Sequence, residues 1–363
     1  MLGVRRSRRA GDGTDVSVVV PVRSRFGVLD RCLDGLHAQS FPGERYEVLV
    51  VANGVEEDST GRMEEVLGPW SRSFAGRLRL LQTGEASIPR ARNLGVEHAR
   101  GRIVLQINED TVLSRTALAR HYAEHESFDF DPLVVVVGGR RFPEPYRRNL
   151  FNYFYEVYRL YTPLHVPARR GVGDYNWFVT CNLSSPRRAY QLLGGFDEDF
   201  RWGSDTELGR RWARAGSRNI VDTDIVSYHL HELDFESFKR NCIKRTRYRF
   251  RIETGRWPEE ATPHEIEQIA RIRKKLAEHR FDPAAFEEQM LRLERAFKGP
   301  EDLVSLSPAA ARQPLVVDLD DPLAQMLLLY KNCTYVSELR RLIHQGRTPD
   351  PAPPVQLSHR EEV

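Results

Sequence analysis

The 363-residue chain has four cysteines and no pattern among them. Cys32, Cys181, Cys242 and Cys333 stand far apart and form no CxxC pair, which argues against a zinc knuckle or a dithiol redox motif. A disulfide framework is not expected in a chain this long, and the expected compartment is a reducing, cytoplasmic one. Long apolar runs are missing too: nothing approaches the roughly 18 residues of a membrane span. Arg5, Arg6, Arg8 and Arg9 crowd the start without the apolar stretch of a secretory signal. Residues 1–14 and 346–363 are expected to be disordered tails. An excess of one charge is also lacking: the net charge is only +3, and nucleic acid is not an expected partner. No GxGxxG follows the first apolar run, which removes the dinucleotide-binding fingerprint.

What is present is a core. Apolar residues make up 40% and charged residues 29% of the chain, as in a globular protein. Short continuous apolar runs occupy 16–22, 46–51, 78–81, 103–107 and 133–137. Continuous rather than alternating hydrophobicity predicts strands covered on both faces. Helical patterns lie between them. Leu29, Cys32, Leu33 and Leu36 fall at i, i+3, i+4, i+7, and Ser114 is placed to cap a helix over the following residues. This alternation predicts an α/β domain over 15–235. The segment 139–180 reads as irregular and aromatic-rich, with Tyr153, Phe154, Tyr155, Tyr158 and Tyr161. Ser185-Pro186 is expected to open a helix that Gly194-Gly195 ends, and a second helix over 205–215 stops at Gly216. From 236 to 345 the periodicity is helical.

In α/β sheets ligands bind beyond the carboxyl ends of the strands, so residues just after strands carry most weight. The first strand ends in Pro21-Val22-Arg23, and the second in Ala52-Asn53-Gly54, itself an ordinary turn signal. Asn108-Glu109-Asp110 follows the strand at 103–107. A carboxylate there is placed either to cap the next element or to hold a hard divalent cation. Trp202-Gly203-Ser204 leads into Asp205-Thr206-Glu207 near the start of a helix, where acidic residues are also favoured by the helix dipole.

Taken in order over residues 15–250, these segments resemble the family-2 inverting glycosyltransferases. Their opening strand and helix, the nucleotide-binding second strand, the helix–strand–metal segment IPRARNLGVEHARGRIVLQINED, the acceptor segment GGFDEDFRWGSDTELGRRWARAG and the histidine-bearing VSYHLHELDFESFKRN all have counterparts here. The resemblance implies a GT-A-type nucleotide-diphospho-sugar transferase fold: a mostly parallel central sheet flanked by helices, with a C-terminal helical extension. It implies a nucleotide-sugar donor, a UDP-sugar foremost, held near Pro21, Val22, Arg23, Asn53, Arg92 and Asn108. Mn²⁺ or Mg²⁺ would be held by Asp110 and His229, with His231 the lesser candidate. Asp205 would be the catalytic base, and Trp202, Gly203 and Glu207 would line the acceptor side. The expected acceptor is a glycan, a lipid-linked molecule or a natural product.

Three positions depart from the family pattern. Ala52 stands where an Asp is usual, Asn108-Glu109-Asp110 stands for Asp-x-Asp, and Ser204-Asp205 for Glu-Asp. The alternative expectation is therefore a weak or inactive sugar-nucleotide-binding scaffold of a glycan assembly complex. Arg240, Lys244, Arg247 and Arg251 recur at i, i+4, i+7, i+11. They form a basic stripe that is either a solvated face or a contact for an anionic acceptor or a membrane surface.

Overall fold

The computed structural model describes residues 13–54, 57–157, 169–297 and 322–345. Both expected tails lie outside these residues, apart from positions 13 and 14, as do Tyr158 and Tyr161. The chain divides into two compact units, residues 1–235 with 292–324, and residues 236–291 with 325–363.

The first unit is built on one sheet. Its strands are β1 (Val16–Val22), β2 (Tyr46–Asn53), β3 (Leu78–Thr83), β4 (Ile103–Ile107), β5 (Thr111–Leu113), β6 (Val134–Arg141), β7 (Arg170–Gly173), β8 (Asn182–Pro186) and β9 (Arg218–His229). Their order is β3-β2-β1-β4-β8-β6-β9-β5, with β7 on β9. Pairing is parallel from β3 to β4 and between β6 and β9, and antiparallel where β8 is inserted. β1, β2, β4, β6 and β9 therefore point the same way, and their carboxyl ends share one edge.

The continuous apolar runs have the expected cause. Val16, Val18, Val20 and Val22 pack on one face beneath Leu29, Leu33 and Leu36 of α1 (Phe26–His37). Val19 packs on the other face with Leu49, Val51 and Val104. Helices α2 (Glu57–Ser73), α3 (Ile88–His98) and α4 (Ala117–Ser127) follow within this half. Gly95 of α3 lies so close to β1 that a Cβ there would stand 2.3 Å from Val19 Cγ1. The fourth helix starts at Ala117, with Thr116 rather than Ser114 at the cap. Ser114 instead donates its N–H to Val226 O at 2.9 Å, which keeps the chain extended beyond β5.

The segment 139–180 is more regular than its composition suggests. β6 runs on to Arg141, and α5 (Glu144–Arg147), α6 (Leu150–Val157) and β7 follow. Pro186 ends a strand instead of occupying the first helical position, because it still pairs with Ile103. Helix α7 (Arg187–Leu193) starts one residue later and stops at Gly194, whose φ of 81° is the left-handed conformation. Helix α8 (Ser204–Arg214) completes the second face, where Trp212 is fully buried.

The second unit is helical. It holds nearly all of α9 (Phe235–Thr254), all of α10 (Pro263–Glu278) and most of α11 (Pro283–Ala296) and α12 (Pro322–Gln345). Phe250, Ile269, Val336 and Leu339 form its apolar centre. Thr262 and Glu265 cap α10 reciprocally, each side chain meeting the other's backbone N–H. No described helix is long and apolar enough to cross a membrane, and all four cysteines are free thiols.

Candidate active site

The shared carboxyl edge gathers a charged cluster. Asp110 follows β4 and is buried, with 6% exposure. Its Oδ2 receives Arg25 Nη1 at 2.6 Å, from the residue that precedes α1. The other nitrogen of the same guanidinium, Nη2, lies 2.6 Å from His231 Nδ1. Arginine has no acceptor atom, so His231 Nδ1 is the acceptor in that bond. The remaining carboxylate oxygen, Asp110 Oδ1, stands 3.3 Å from His229 Nε2 at the end of β9. That approach does not make a hydrogen bond, and Oδ1 is buried without one, as is His229 Nδ1. Burial holds the Asp110 pKa up despite the opposing Arg25. Burial, with Arg140 and Arg25 adding to it, brings His229 down to about 3. Burial and then Arg25 bring His231 down to about 4. Both rings are neutral near pH 7, the form that ligates a cation.

Three features point to a cation. A buried carboxylate oxygen lacks a hydrogen bond, a neutral imidazole faces it, and both sit where strands end. Among the described residues no three His, Cys, Asp or Glu side chains converge into a complete cage. Hard cations that also bind substrate phosphates need only one or two protein ligands, so Asp110 and His229 fit such an ion.

The neighbouring residues of the 108–110 segment are held from both sides. Arg92 of α3 is buried, donating to Gln106 Oε1 at 2.9 Å and Asn108 Oδ1 at 2.7 Å. Burial lowers its pKa to about 10, partly offset by Asp205. It holds Asn108 in place. Glu109 accepts the Arg23 backbone N–H at 2.8 Å, and burial raises it to about 7. Pro21 and Val22 are buried in β1, and the Arg23 side chain is exposed.

Asn53 is also a structural tie. It is 2% exposed, and its Oδ1 accepts the Ser87 N–H at 2.7 Å, fixing the residue that caps α3. Gly54, at φ 59°, lets β2 pass Ala86, whose N would lie 2.4 Å from any Cβ.

Asp205 is the second residue of α8, two positions after the cap residue Gly203, which has φ 73°. Its Oδ1 accepts the Thr206 N–H at 2.8 Å. Glu207 pairs with Arg211, whose other donors reach Leu193 O at 2.9 Å and Gly195 O at 2.7 Å. Trp202 is half-buried just before the turn. Burial pushes the Cys181 thiol up, with Asp205 and Asp110 both adding to it and Arg140 opposing. Arg140 Nη1 is 3.6 Å from the Cys181 sulfur.

Arg25, Arg140 and Cys181 are the members that sequence reading missed. Arg140 is the penultimate residue of β6, near enough to its end for the strand-end rule to point to it. Nothing local marks Arg25.

Residues 17–175 match the model of glycosyl transferase family 2. That stretch is a glycosyl transferase family 2 domain. The chain is 28% identical over 259 residues to validoxylamine A glucosyltransferase of Streptomyces hygroscopicus subsp. limoneus, across 62% of this chain and 55% of that one. It is 25% identical over 214 residues to glycosyltransferase AglE of Haloferax volcanii, across 59% of this chain and 66% of that one. The chain thus spans between about half and two thirds of the length of these relatives. A solved mannosyltransferase from Pyrobaculum calidifontis, in complex with GDP-Man and Mn2+, shares the fold with TM-score 0.53 and 18% identity over 94% of this chain and 92% of that one. The family-2 domain therefore has the GT-A fold, a curled mixed sheet flanked by helices, with helices at its C-terminal side.

Proposed function

We propose that this protein transfers a sugar from a nucleoside diphosphate, a UDP-sugar foremost, to an acceptor hydroxyl with inversion at the anomeric carbon. The observation that carries this reading is the Asp110 carboxylate, buried at the strand edge with one oxygen free of hydrogen bonds and His229 beside it. Asp110 and His229 would hold Mn²⁺ or Mg²⁺, which when bound offsets charge on the departing diphosphate. Arg92 keeps Asn108 in place beside them. The acceptor oxygen bonds to the anomeric carbon as the carbon–phosphate oxygen bond breaks and its electron pair leaves with the diphosphate. Asp205 takes the hydroxyl proton. Attack from the face opposite the leaving group inverts the centre.

The acceptor is a small natural product, as the name of the Streptomyces relative suggests, or a glycan or lipid-linked molecule. Arg240 and Lys244 on α9 are exposed, which supports contact with an anionic acceptor or membrane surface.

Calorimetry with UDP and GDP, each with Mn²⁺ or with a chelator, tests the donor reading. Binding of UDP is expected to need the ion and to vanish in Asp110→Ala. Equal binding with chelator overturns the metal assignment, and tighter GDP binding overturns the choice of base. Donor binding without any sugar release to acceptor or water would make the protein a scaffold.

A further inference from the structure

Arg25 is the strongest partner of the Asp110 carboxylate, yet it occupies only half of it. Its Nη1 sits 2.6 Å from Oδ2, and its Nη2 is anchored 2.6 Å from His231 Nδ1. Oδ1 is left without a hydrogen bond, facing His229. The guanidinium thus neutralises a buried carboxylate that would otherwise be an uncompensated charge. The same charge opposes a second cation. An ion on Oδ1 and a guanidinium on Oδ2 would be like charges a few ångströms apart in a site that screens them poorly. Occupation of one disfavours the other. Arg25 is free to leave: its side chain is 30% exposed, against 9% for Asp110, and it projects from the residue between β1 and α1. Once displaced, it needs another anion. A planar, forked guanidinium matches phosphate oxygens in two-pronged geometry, and a donor diphosphate at this strand edge would supply them.

Resting on the metal reading above, we infer that Arg25 is a resident counter-cation of Asp110, which a divalent ion displaces and which then grips the donor diphosphate. The exchange couples the two ligands. Ion alone binds weakly because it must break the Arg25–Asp110 pair. Ion with nucleotide binds well because the released guanidinium gains a new partner. The site thereby loads metal and donor together.

The test is Mn²⁺ binding to the full chain, read from the loss of the free-ion electron paramagnetic resonance signal, first without nucleotide and then with UDP. Arg25→Gln is expected to bind Mn²⁺ alone at least about tenfold more tightly than the unaltered protein. The same variant is expected to bind UDP with Mn²⁺ at least about tenfold more weakly. Arg25→Lys, which keeps charge without the fork, should fall between on both readouts and guards against a folding defect in the first variant. Mn²⁺ affinity unchanged or reduced in Arg25→Gln overturns the inference while leaving the metal site standing. Tighter Mn²⁺ with unchanged UDP overturns the transfer to diphosphate. If neither protein binds Mn²⁺ with or without UDP, the metal reading itself fails and takes the inference with it.

Discussion

Arg211 holds Glu207 through a two-pronged ion pair, with Nε and Nη2 each 2.9 Å from the carboxylate. The same guanidinium reaches back to the carbonyls of Leu193 and Gly195. One side chain therefore joins the first turn of α8, which carries Asp205, to the turn that ends α7. Replacing it with Met leaves Glu207 and both carbonyls without these bonds. We expect Arg211→Met to lower stability by about 1–3 kcal/mol and to reduce transfer more than donor affinity. Denaturant melts and UDP calorimetry on one preparation check this. Unchanged transfer in the folded variant would reduce Arg211 to a structural link.

Asp205→Asn keeps the size of the proposed base and removes its ability to accept a proton. Transfer is expected to drop by about 10² to 10⁴ with the donor dissociation constant little changed. A variant that fails because donor binding has collapsed would assign Asp205 a different role.

A buried chain of polar groups crosses the sheet where α4 meets β8. His121 Nε2 lies 2.9 Å from Asn182 Oδ1, an acceptor, so that nitrogen carries the proton. His121 Nδ1 then accepts from the Ser184 hydroxyl at 2.8 Å, and Ser184 accepts from His125 Nε2 at 2.8 Å. The bond from Ser184 to His121 requires a neutral His121 ring. Burial accordingly lowers His121 to about 4 and His125 to about 3. An unfolded histidine titrates near about 6.5, so between these values the unfolded chain binds more protons. Stability therefore falls as pH drops from about 6.5 toward 4. His125→Phe should make that fall shallower by on the order of 2–4 kcal/mol, measured as denaturant midpoints across the range. The slope will not vanish, because His229 and His231 are held neutral too. An unaltered pH profile in the variant would refute the assignment.

The basic stripe on α9 divides in two. Arg247 pairs with Glu259 and lies over the Trp257 ring, and Arg251 lies over the same ring at 4.2 Å. Arg240 and Lys244 remain exposed. Converting both to Glu is expected to weaken sedimentation with anionic phospholipid vesicles several-fold in low salt, since each basic residue near such a surface contributes about 1 kcal/mol. UDP affinity should not move. Equal sedimentation of both proteins would make these residues an ordinary solvated face.

The sequence by itself determined the sheet and the edge where its parallel strands end. Runs such as Val16–Val22 carry apolar residues on both faces rather than on alternate positions, the pattern of a strand covered on both sides. One such end marked Asp110, and two later segments of the family resemblance marked Asp205 and His229. Tertiary structure decided which side chains were committed elsewhere. Asn53 and Arg92, which the resemblance places at the donor, also hold partners 34 and 14–16 residues away. Arg25 is the converse. It is 85 residues from Asp110 and 206 from His231, and no local periodicity encodes such a meeting. Helix and strand patterns repeat over a few residues, so they report which face is buried. The charge balance of the site depends on which distant loops the folded sheet brings to one edge.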